Sequence, residues 1–262
     1  MIELEGVTKS YANASMPAVE DISLKVESGT LHVLLGESGS GKTTVLKMIN
    51  RLIESSSGSI RLDGEDIGSI DPITLRRRIG YAFQGVGLFP HMTVEENVAI
   101  VPRLLGWSAK AISERIDELL EVMSLAPATF RKRYPRELSG GQQQRIGVAR
   151  ALAARSQVLL MDEPFGALDP ITRDELQNEL RRLQKSLGLT VVLVTHDVNE
   201  ALLLADRIAV MKSGRLLGHD TPDRLLNAPP NPYVEDLMAM PKRQAAKLAQ
   251  LASDPVTSRA HE

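Results

Sequence analysis

The segment GESGSGKTT, Gly36–Thr44, is the most informative in the sequence, because its first eight residues match the pattern G-x-x-x-x-G-K-[ST]. It follows the apolar run LHVLL, Leu31–Leu35, and leads into TVLKMIN, where apolar residues are spaced as in a helix. In a strand, glycine-rich loop and helix of this order, backbone N–H groups and the positive end of the helix dipole converge on one place. The stretch therefore predicts a phosphate-binding loop rather than a merely flexible glycine-rich connection.

Several residues of this phosphate loop (Gly36–Thr44) have an expected role in binding a nucleotide. Glycines let the backbone approach anionic oxygens without obstruction by Cβ atoms. Lys42 should reach the β- and γ-phosphates of a nucleotide, and the Thr43 hydroxyl should ligate Mg²⁺. The expected nucleotide-binding residues here are Gly36, Glu37, Ser38, Gly39, Ser40, Gly41, Lys42, Thr43 and Thr44.

Composition is that of an ordinary globular protein. Of 262 residues 43% are apolar, enough for a hydrophobic core, and the formal net charge of −2 provides no polybasic surface for nucleic acid. There are no cysteines, which excludes disulfides and is typical of a reducing compartment. No stretch approaches the roughly 18 consecutive apolar residues that a membrane span needs, and the N-terminus lacks an apolar signal core. We therefore expect a soluble intracellular protein that reaches a membrane only through a partner.

The order of the apolar runs predicts an α/β fold. Continuous apolar runs are typical of parallel strands covered on both faces, and they occur at Leu31–Leu35, Val158–Met161 and Thr190–Thr195, with Ile79–Phe83 as a further expected strand. The earlier stretches IELEGVTKSY and AVEDISLKV alternate apolar and polar residues, as strands with one solvated face do. Asp63-Gly64 is a strong turn signal. A parallel core preceded by an antiparallel sheet follows from this order.

The middle of the chain has helical periodicity. From about Val94 to Arg155 apolar residues recur three and four positions apart, and Thr93 and Ser108 stand where N-caps belong. We interpret about 86–155 as a helical subdomain inserted into an α/β core formed by 2–85 and 156–240. Residues 241–262 predict a short amphipathic helix followed by a disordered tail.

Acidic residues end one of the buried strands. In VLLMDEP, Asp162 and Glu163 follow an apolar run. Because ligands of open α/β sheets gather at the carboxyl ends of the strands, these acids and the phosphate loop should meet. Asp162 is then suited to Mg²⁺, and Glu163 remains to polarise an attacking water as general base. An isolated DEP would more simply cap its strand, with Glu163 paired to an arginine.

Two further polar residues extend this expected site. His196 follows the run Thr190–Thr195 at the same sheet edge, which favours a hydrogen bond to the γ-phosphate or the attacking water. Gln84 follows the expected strand Ile79–Phe83, and its amide can reach Mg²⁺ or the water, although a glutamine taken alone is usually solvated. The remaining histidines and the single tryptophan are interpreted as structural: His32, His91, His219, His261 and Trp107.

The string LSGGQQQ, Leu138–Gln144, offers no general base, metal ligand or ordinary nucleophile. Ser139 can cap a helix and the two glycines permit tight geometry, so one interpretation is a turn that opens a helix. The other is that the string binds phosphate, and not necessarily on its own chain.

Together these motifs resemble the ATP-binding cassette (ABC) ATPases of membrane transporters. The resemblance covers residues 2–240 and rests on Gly36–Thr43, Gln84, LSGGQ (138–142, the signature segment), LLMDEP (159–164), ALD (167–169) and His196. It implies an α/β fold of the P-loop NTPase (RecA-like) type, a parallel sheet core with an N-terminal antiparallel β-subdomain and an inserted α-helical subdomain. It implies ATP as substrate and Mg²⁺ as cofactor. The implied catalytic residues are Glu163, His196, Lys42 and Gln84, and the implied Mg²⁺ ligands are Thr43, Gln84 and Asp162.

The resemblance also implies a head-to-tail homodimer that encloses two ATP molecules. Each ATP lies on one copy's phosphate loop and is covered by the other copy's Ser139, Gly140, Gly141 and Gln142. Asp169 then lies at the dimer interface. Tyr11 matches the aromatic residue that stacks on adenine, although packing would also explain it. Closure rotates the helical subdomain, and the Gln84 loop couples that rotation to a separate permease at the cytoplasmic face of the inner membrane.

Longer stretches are similar to one group of importers. GLFPHMTVEENVA and YPRELSGGQQQRIGVARALA resemble ATPases of importers served by a solute-binding protein. DEPFGALDPITRDELQ and NPYVEDLMAMP resemble the uptake systems for glycine betaine, choline and related osmoprotectants. Some of those carry cystathionine-β-synthase-type modules after the cassette; this sequence stops at residue 262, so we do not expect ionic-strength sensing by that route.

Other functions stay open at this point. One is an importer ATPase for another small solute such as an amino acid. Another is a soluble ABC ATPase of DNA repair or translation, which would usually carry two fused cassettes or an inserted coiled coil. An exporter ATPase would often be fused to membrane helices. A nucleotide-binding module without activity would be expected to lose Lys42 or Glu163, and both are present.

Overall fold

The computed structural model describes residues 1–12, 14–83, 85 and 87–253. Gln84 and His261 lie outside these residues, as does the predicted tail from residue 254 onward. The strands are β1 Ile2–Lys9, β2 Val19–Val26, β3 Leu31–Leu35, β4 Ser57–Leu62, β5 Glu65–Asp66, β6 Ile79–Ala82, β7 Val158–Asp162, β8 Thr190–Thr195, β9 Arg207–Lys212 and β10 Arg215–Asp220. The helices are α1 Lys42–Ile49, α2 Pro72–Arg78, α3 Val94–Leu104, α4 Ala109–Val122, α5 Pro127–Phe130, α6 Gly140–Leu152, α7 Pro170–Leu187, α8 Val198–Leu204, α9 Pro222–Asn227 and α10 Pro232–Ser253.

Two sheets form the α/β architecture that the sequence predicts. The smaller is antiparallel, with strand order β2-β1-β4-β5. The larger has the order β10-β9-β3-β8-β7-β6 and is parallel except at the edge strand β10. The turn between β4 and β5 is Asp63-Gly64, with φ of 52° and 83°. Positive φ at both positions is what a tight hairpin requires, so this turn prediction is confirmed.

The register of the parallel strands brings the candidate site together. Every residue of β3, β7 and β8 is buried. Leu35 at the end of β3 pairs with Thr195 at the end of β8, and Val194 pairs with Asp162 at the end of β7. The chain segments that leave these three strands therefore start at one edge of the sheet, as expected for an open α/β sheet.

The middle of the chain is helical, as its periodicity predicts. Thr93 and Glu96 form a capping box at the start of α3, and the Ser108 side chain accepts a hydrogen bond from the Ala111 N–H at the start of α4. Both predicted caps are confirmed. Buried residues of α3, α4 and α6 share one hydrophobic cluster with residues of β3, and Trp107 packs against that cluster. The helical region thus rests on one face of the core sheet.

Three features of the fold differ from the sequence-based expectation. The hairpin of β9 and β10 was not predicted, although Ser213-Gly214, with φ of 47° and 80°, supplies its turn. The helix expected after Met240 begins at Pro232, because Asn231 caps it by accepting a hydrogen bond from the Val234 N–H. The predicted boundary at 240/241 therefore falls inside α10.

No helix in the described part of the chain is both long enough and apolar enough to cross a membrane.

Candidate active site

The phosphate loop forms one wall of a pocket of about 590 Å³. The pocket is lined by residues 35–44 together with Ala18, Glu163, His196 and Leu237. A Cβ atom on Gly36 would lie 2.2 Å from the Met211 carbonyl oxygen, and one on Gly41 would lie 2.5 Å from that of Ala18. Gly41 also has a φ of 101°. Only glycine lets the loop lie this close to the neighbouring backbone.

Lys42 is buried at the centre of the loop. Its ammonium group donates hydrogen bonds to the carbonyl oxygens of Gly36 and Glu37, both at 2.7 Å, and to Ser40 Oγ at 3.3 Å. Burial lowers the pKa of Lys42, and the nearby carboxylates partly oppose this shift. The loop is thus wrapped around a cation, which is the arrangement that a polyphosphate requires.

Thr43, which lines the pocket, is hydrogen-bonded to the buried Asp162 at the end of β7. The Thr43 hydroxyl donates to Asp162 Oδ1 at 2.8 Å. Burial raises the pKa of Asp162, more than this hydrogen bond and the neighbouring lysines lower it. Mg²⁺ is commonly held by one or two protein oxygens together with substrate phosphates. These two oxygen donors, beside a loop shaped for phosphate, fit such a cation, although the described residues contain no cluster of three or more His, Asp or Glu for an all-protein metal site.

Glu163 and His196 lie side by side at the mouth of the pocket. Glu163 Oε2 is 3.4 Å from His196 Nδ1, and among the described residues Glu163 pairs with this imidazole and not with the arginine of the alternative interpretation. The Glu163 backbone is left-handed, with a φ of 44°, and its N–H donates to the Val194 carbonyl at 3.0 Å. The unusual backbone conformation turns the carboxylate toward the pocket end of the sheet.

The signature segment lies elsewhere on the chain. Ser139 and Gln142 form a reciprocal capping box, with N···O distances of 3.0 and 3.3 Å, so both side chains hold the start of α6. A Cβ atom on Gly141 would lie 2.4 Å from Thr172 Cγ2 at the start of α7. The interpretation as a helix-opening turn is confirmed. None of these residues belongs to the described lining of the pocket.

Asp169 and Tyr11 also lie outside that lining. Asp169 caps α7, and hydrogen bonds from the hydroxyl and N–H of Thr172 lower the pKa of its carboxyl group. The neighbouring Ile171 is 74% exposed. Tyr11 is 47% exposed, with the Lys9 ammonium 5.2 Å from its ring centre.

Helix α10 supplies a part of the site that the sequence did not reveal. The Tyr233 hydroxyl lies 3.2 Å from Glu37 Oε1 on the phosphate loop, and the Lys212 ammonium lies 3.9 Å from the centre of the Tyr233 ring. Leu237, one turn further, lines the pocket. Because Glu37 and Tyr233 are 196 positions apart, no local pattern announces the contact.

Two of the histidines are structural, as expected. His32 is fully buried, with Nε2 3.0 Å from Glu27 Oε2, and its ring centre is 5.5 Å from that of His219. Burial lowers the pKa of both rings, that of His219 to about 4. They lie at the opposite end of β3 from the phosphate loop.

A second cleft, of about 290 Å³, lies between the end of β6 and the helical region. Its lining includes the exposed apolar side chains of Leu52, Phe83 and Phe89. Arg150 on α6 holds the adjoining loop through a hydrogen bond of 2.6 Å to the Gly87 carbonyl. Contiguous exposed apolar side chains of this kind mark protein interaction sites.

Comparison with known proteins defines the family. The ABC transporter family model matches residues 19–166, more than half of the chain, and the protein belongs to this family. Among its relatives is the carnitine transport ATP-binding protein OpuCA of Listeria monocytogenes serotype 1/2a, 53% identical over 94% of this chain and 62% of that protein. The glycine betaine/carnitine/choline transport ATP-binding protein OpuCA of Bacillus subtilis is also 53% identical, over 91% of this chain and 62% of that protein. This chain thus spans less than two thirds of the length of these two relatives.

A relative of more similar length is the glycine betaine uptake system ATP-binding protein YehX of Escherichia coli, 53% identical over 89% of this chain and 75% of that protein. Among solved structures, the dimeric structure of the bacterial ABC transporter cassette MJ0796 superposes with a TM-score of 0.75 at 35% identity, covering 85% of this chain and 99% of that one. The predicted fold class is confirmed by this likeness. The same cassette was solved as a dimeric post-hydrolysis state bound to ADP and Pi.

Proposed function

We propose that the protein is the ATP-binding and ATP-hydrolysing subunit of an importer for osmoprotectants such as glycine betaine, choline or carnitine. The observation that carries the ATPase part is one pocket lined by a buried lysine, a threonine and a glutamate–histidine pair, with the threonine hydrogen-bonded to the buried Asp162. The solutes named for the relatives support the solute class. The alternatives of a repair, translation or export ATPase find no support among these relatives.

Each residue of the pocket has a separate task in hydrolysis. Loop N–H groups and Lys42 bind and orient the β- and γ-phosphates of ATP. Glu163 accepts a hydrogen bond from the attacking water and takes its proton. His196, held beside Glu163, donates to a γ-phosphate oxygen and keeps the water in line. Thr43 and Asp162, with Gln84, would hold Mg²⁺, which would supply positive charge to the phosphates.

The second half of the site comes from a second copy of the chain. The described lining of the pocket contains no residue of the signature segment. The N–H groups of Gly140 and Gly141 begin α6 and have no carbonyl partner within that helix. Together with Ser139, these N–H groups would bind the γ-phosphate of the ATP that the partner copy holds. Asp169 and the exposed Ile171 would lie at the contact between the two copies. The dimeric structures of the related cassette support this arrangement.

The apolar cleft beside Phe83 and Phe89 is the proposed docking site for the permease. A cytoplasmic helix of that subunit would insert there and hold the protein at the cytoplasmic face of the membrane, and the permease would receive solute from a binding protein. The cleft lies at the junction of the proposed core (2–85 and 156–240) and helical subdomain (86–155). Rotation of the helical subdomain would therefore move one wall of the cleft and with it the docked helix of the permease. Tyr11, exposed on the core, is the proposed platform for adenine.

Complementation between variants tests the shared site. Glu163→Gln and Ser139→Arg should each abolish most turnover, because general-base catalysis contributes about 10²–10⁴-fold and a bulky cation would block closure. When the two variants are mixed, each mixed dimer has one site with an intact Glu163 and an intact opposing Ser139. Half of the dimers are mixed and half of their sites intact, so about a quarter of the normal rate should return.

The matched control mixes Glu163→Gln with Lys42→Ala, whose defects lie on the same side of the site and cannot complement. Recovery in this control pair, or none in the first pair, would refute the shared site. Retained ATP binding by Glu163→Gln, measured with a fluorescent nucleotide, separates loss of chemistry from loss of binding.

Reconstitution tests the solute. The chain is co-expressed with a permease and a solute-binding protein of the osmoprotectant importer group and placed in vesicles. Glycine betaine, choline or carnitine should stimulate ATP turnover and accumulate, whereas an amino acid such as glutamine should not. Stimulation by the amino acid alone would replace the proposed solute class by the alternative one.

A further inference from the structure

We propose, on the basis of the proposed ATPase function, that Arg173 is a positioning residue that ties the chain segment after Glu163 to the segment that carries His196. Arg173 lies in the first turn of α7. Its Nη2 donates a hydrogen bond of 3.1 Å to the Leu168 carbonyl, and its Nη1 lies 3.8 Å from Asp197 Oδ2. One guanidinium group thus contacts both segments.

The first segment is a compact turn that starts at Glu163. The Gly166 N–H donates to the Glu163 carbonyl at 3.4 Å, and the Leu168 N–H donates to the Phe165 carbonyl at 3.2 Å. The Phe165 side chain is buried in the core cluster. The Leu168 carbonyl therefore cannot move far without moving the backbone that places the Glu163 carboxylate.

The second segment holds His196 from both sides. The Asp197 N–H donates to Thr195 Oγ1 at 3.0 Å, at the end of β8. The Asp197 carboxylate caps α8 by accepting hydrogen bonds from the N–H groups of Asn199 and Glu200 at 2.8 and 3.2 Å. His196 lies between these anchors, so the position of Asp197 sets the position of the imidazole.

The contacts close a ring. The turn after Glu163 connects it to Leu168, and Arg173 contacts both Leu168 and Asp197. His196, next to Asp197, completes the ring because its Nδ1 lies 3.4 Å from Glu163 Oε2. The guanidinium fork can reach two acceptors at once, which a single ammonium group on a flexible stem cannot do in the same geometry. Its Nε is shielded from solvent and has no hydrogen-bond partner among the described residues. The group is therefore held by the two segments that it joins.

The consequence is a route between the dimer contact and the reaction centre. Asp169 precedes Arg173 by one helical turn, and in the proposed dimer it touches the second copy. If closure of the proposed dimer shifts the Leu168–Asp169 backbone, Arg173 would transmit this shift to Asp197. The neighbouring His196 would then move with Asp197. The ion pair is about one third exposed on each side, so its contribution to stability is small and its role is geometric.

Steady-state kinetics of Arg173→Met and Arg173→Lys test this assignment. Both variants should lose about tenfold in kcat for ATP while KM stays within about twofold, since misplacement of catalytic groups acts on the chemical step. The melting temperature should change little. Arg182→Met, an exposed arginine on the same helix, is the matched control and should keep the normal kcat.

A double-mutant cycle with Asp197→Asn isolates the contact. Asparagine caps a helix as well as aspartate does, so this variant removes the charge but keeps α8 capped. Arg173→Met combined with Asp197→Asn should be no slower than Arg173→Met alone. Unchanged kcat in Arg173→Met, or losses that multiply in the double variant, would overturn the assignment.

Failure of the proposed function itself would show as absent turnover in the unmodified chain. The contact is then judged by hydrogen exchange of the amides at 196–200. Exchange there should accelerate about tenfold in Arg173→Met, as expected when a local anchor is lost. Unaltered exchange would overturn the assignment irrespective of ATPase activity.

Discussion

Replacement of Gly141 by alanine would probe the packing between the signature segment and α7. The new Cβ atom would lie 2.4 Å from Thr172 Cγ2, whereas carbon atoms in contact are optimally about 3.5–4.0 Å apart. Helices α6 and α7 must then separate by about 1 Å, or Thr172 must rotate and give up the hydrogen bond of its hydroxyl to Asp169.

The cost follows from this clash. Overpacking of a well-packed contact costs about 1–3 kcal/mol, and alanine regains up to about 1 kcal/mol over glycine within a helix. We therefore expect Gly141→Ala to lower the free energy of unfolding by about 1–2 kcal/mol. The adjacent Gly140 is a matched control, because a Cβ atom there would meet Leu168 Cδ2 at an ordinary 3.8 Å. Gly140→Ala should unfold at the normal urea concentration or slightly above it.

Urea unfolding followed by circular dichroism measures both variants, with the slope of the transition used to compare them at equal cooperativity. A third protein combines Gly141→Ala with Thr172→Ser, which removes the clashing methyl group but keeps the hydroxyl. It should regain most of the lost stability. Equal stability of the two alanine variants, or no recovery in the third protein, would refute the packing argument.

Three other perturbations give further expected outcomes. Thr43→Val should raise the Mg²⁺ concentration for half-maximal ATP turnover by about tenfold, since one of the proposed protein oxygen ligands is lost, and a magnesium titration of turnover checks this. Tyr11→Leu should weaken ATP binding about fivefold, as loss of a stacking platform worth about 1 kcal/mol would, with fluorescent-nucleotide titration as the measurement. Burial lowers the pKa of His219 from 6.5 to about 4, so the unfolded chain binds a proton before the folded protein does as the pH falls through 6.5. The folded state should lose roughly 2 kcal/mol between pH 6.5 and 4, after allowance for the partial exposure of the ring. His219→Gln should flatten the fall in melting temperature over that range, and an unchanged fall would contradict the assignment.

The sequence predicted those parts of the site that depend on strand order. The phosphate loop, Asp162, Glu163 and His196 lie at the carboxyl ends of buried parallel strands, and such ends share one edge of the sheet. The prediction that they meet is therefore confirmed by the Thr43–Asp162 and Glu163–His196 contacts. The roles of these residues in catalysis stay predictions, as does that of Gln84, which lies outside the described residues.

The parts that were not predicted depend on contacts between distant segments. Tyr233 reaches Glu37 only because α10 begins at Pro232 and packs beside the phosphate loop. The bridge made by Arg173 joins two loops whose spacing in the sequence carries no period. Such contacts are set by tertiary packing, which hydrophobic periodicity does not encode.

At Glu163, whose backbone is left-handed, the residue that would be most stable differs from the residue that the proposed reaction needs. A non-glycine residue at a φ of 44° carries local strain of about 1 kcal/mol or more that glycine would not feel. Selection for thermal stability alone would therefore favour glycine at position 163. Glu163→Gly should melt at a higher temperature but hydrolyse almost no ATP. A screen for thermal tolerance alone would therefore select a variant that lacks the proposed general base, whereas a screen for ATP turnover would keep the glutamate.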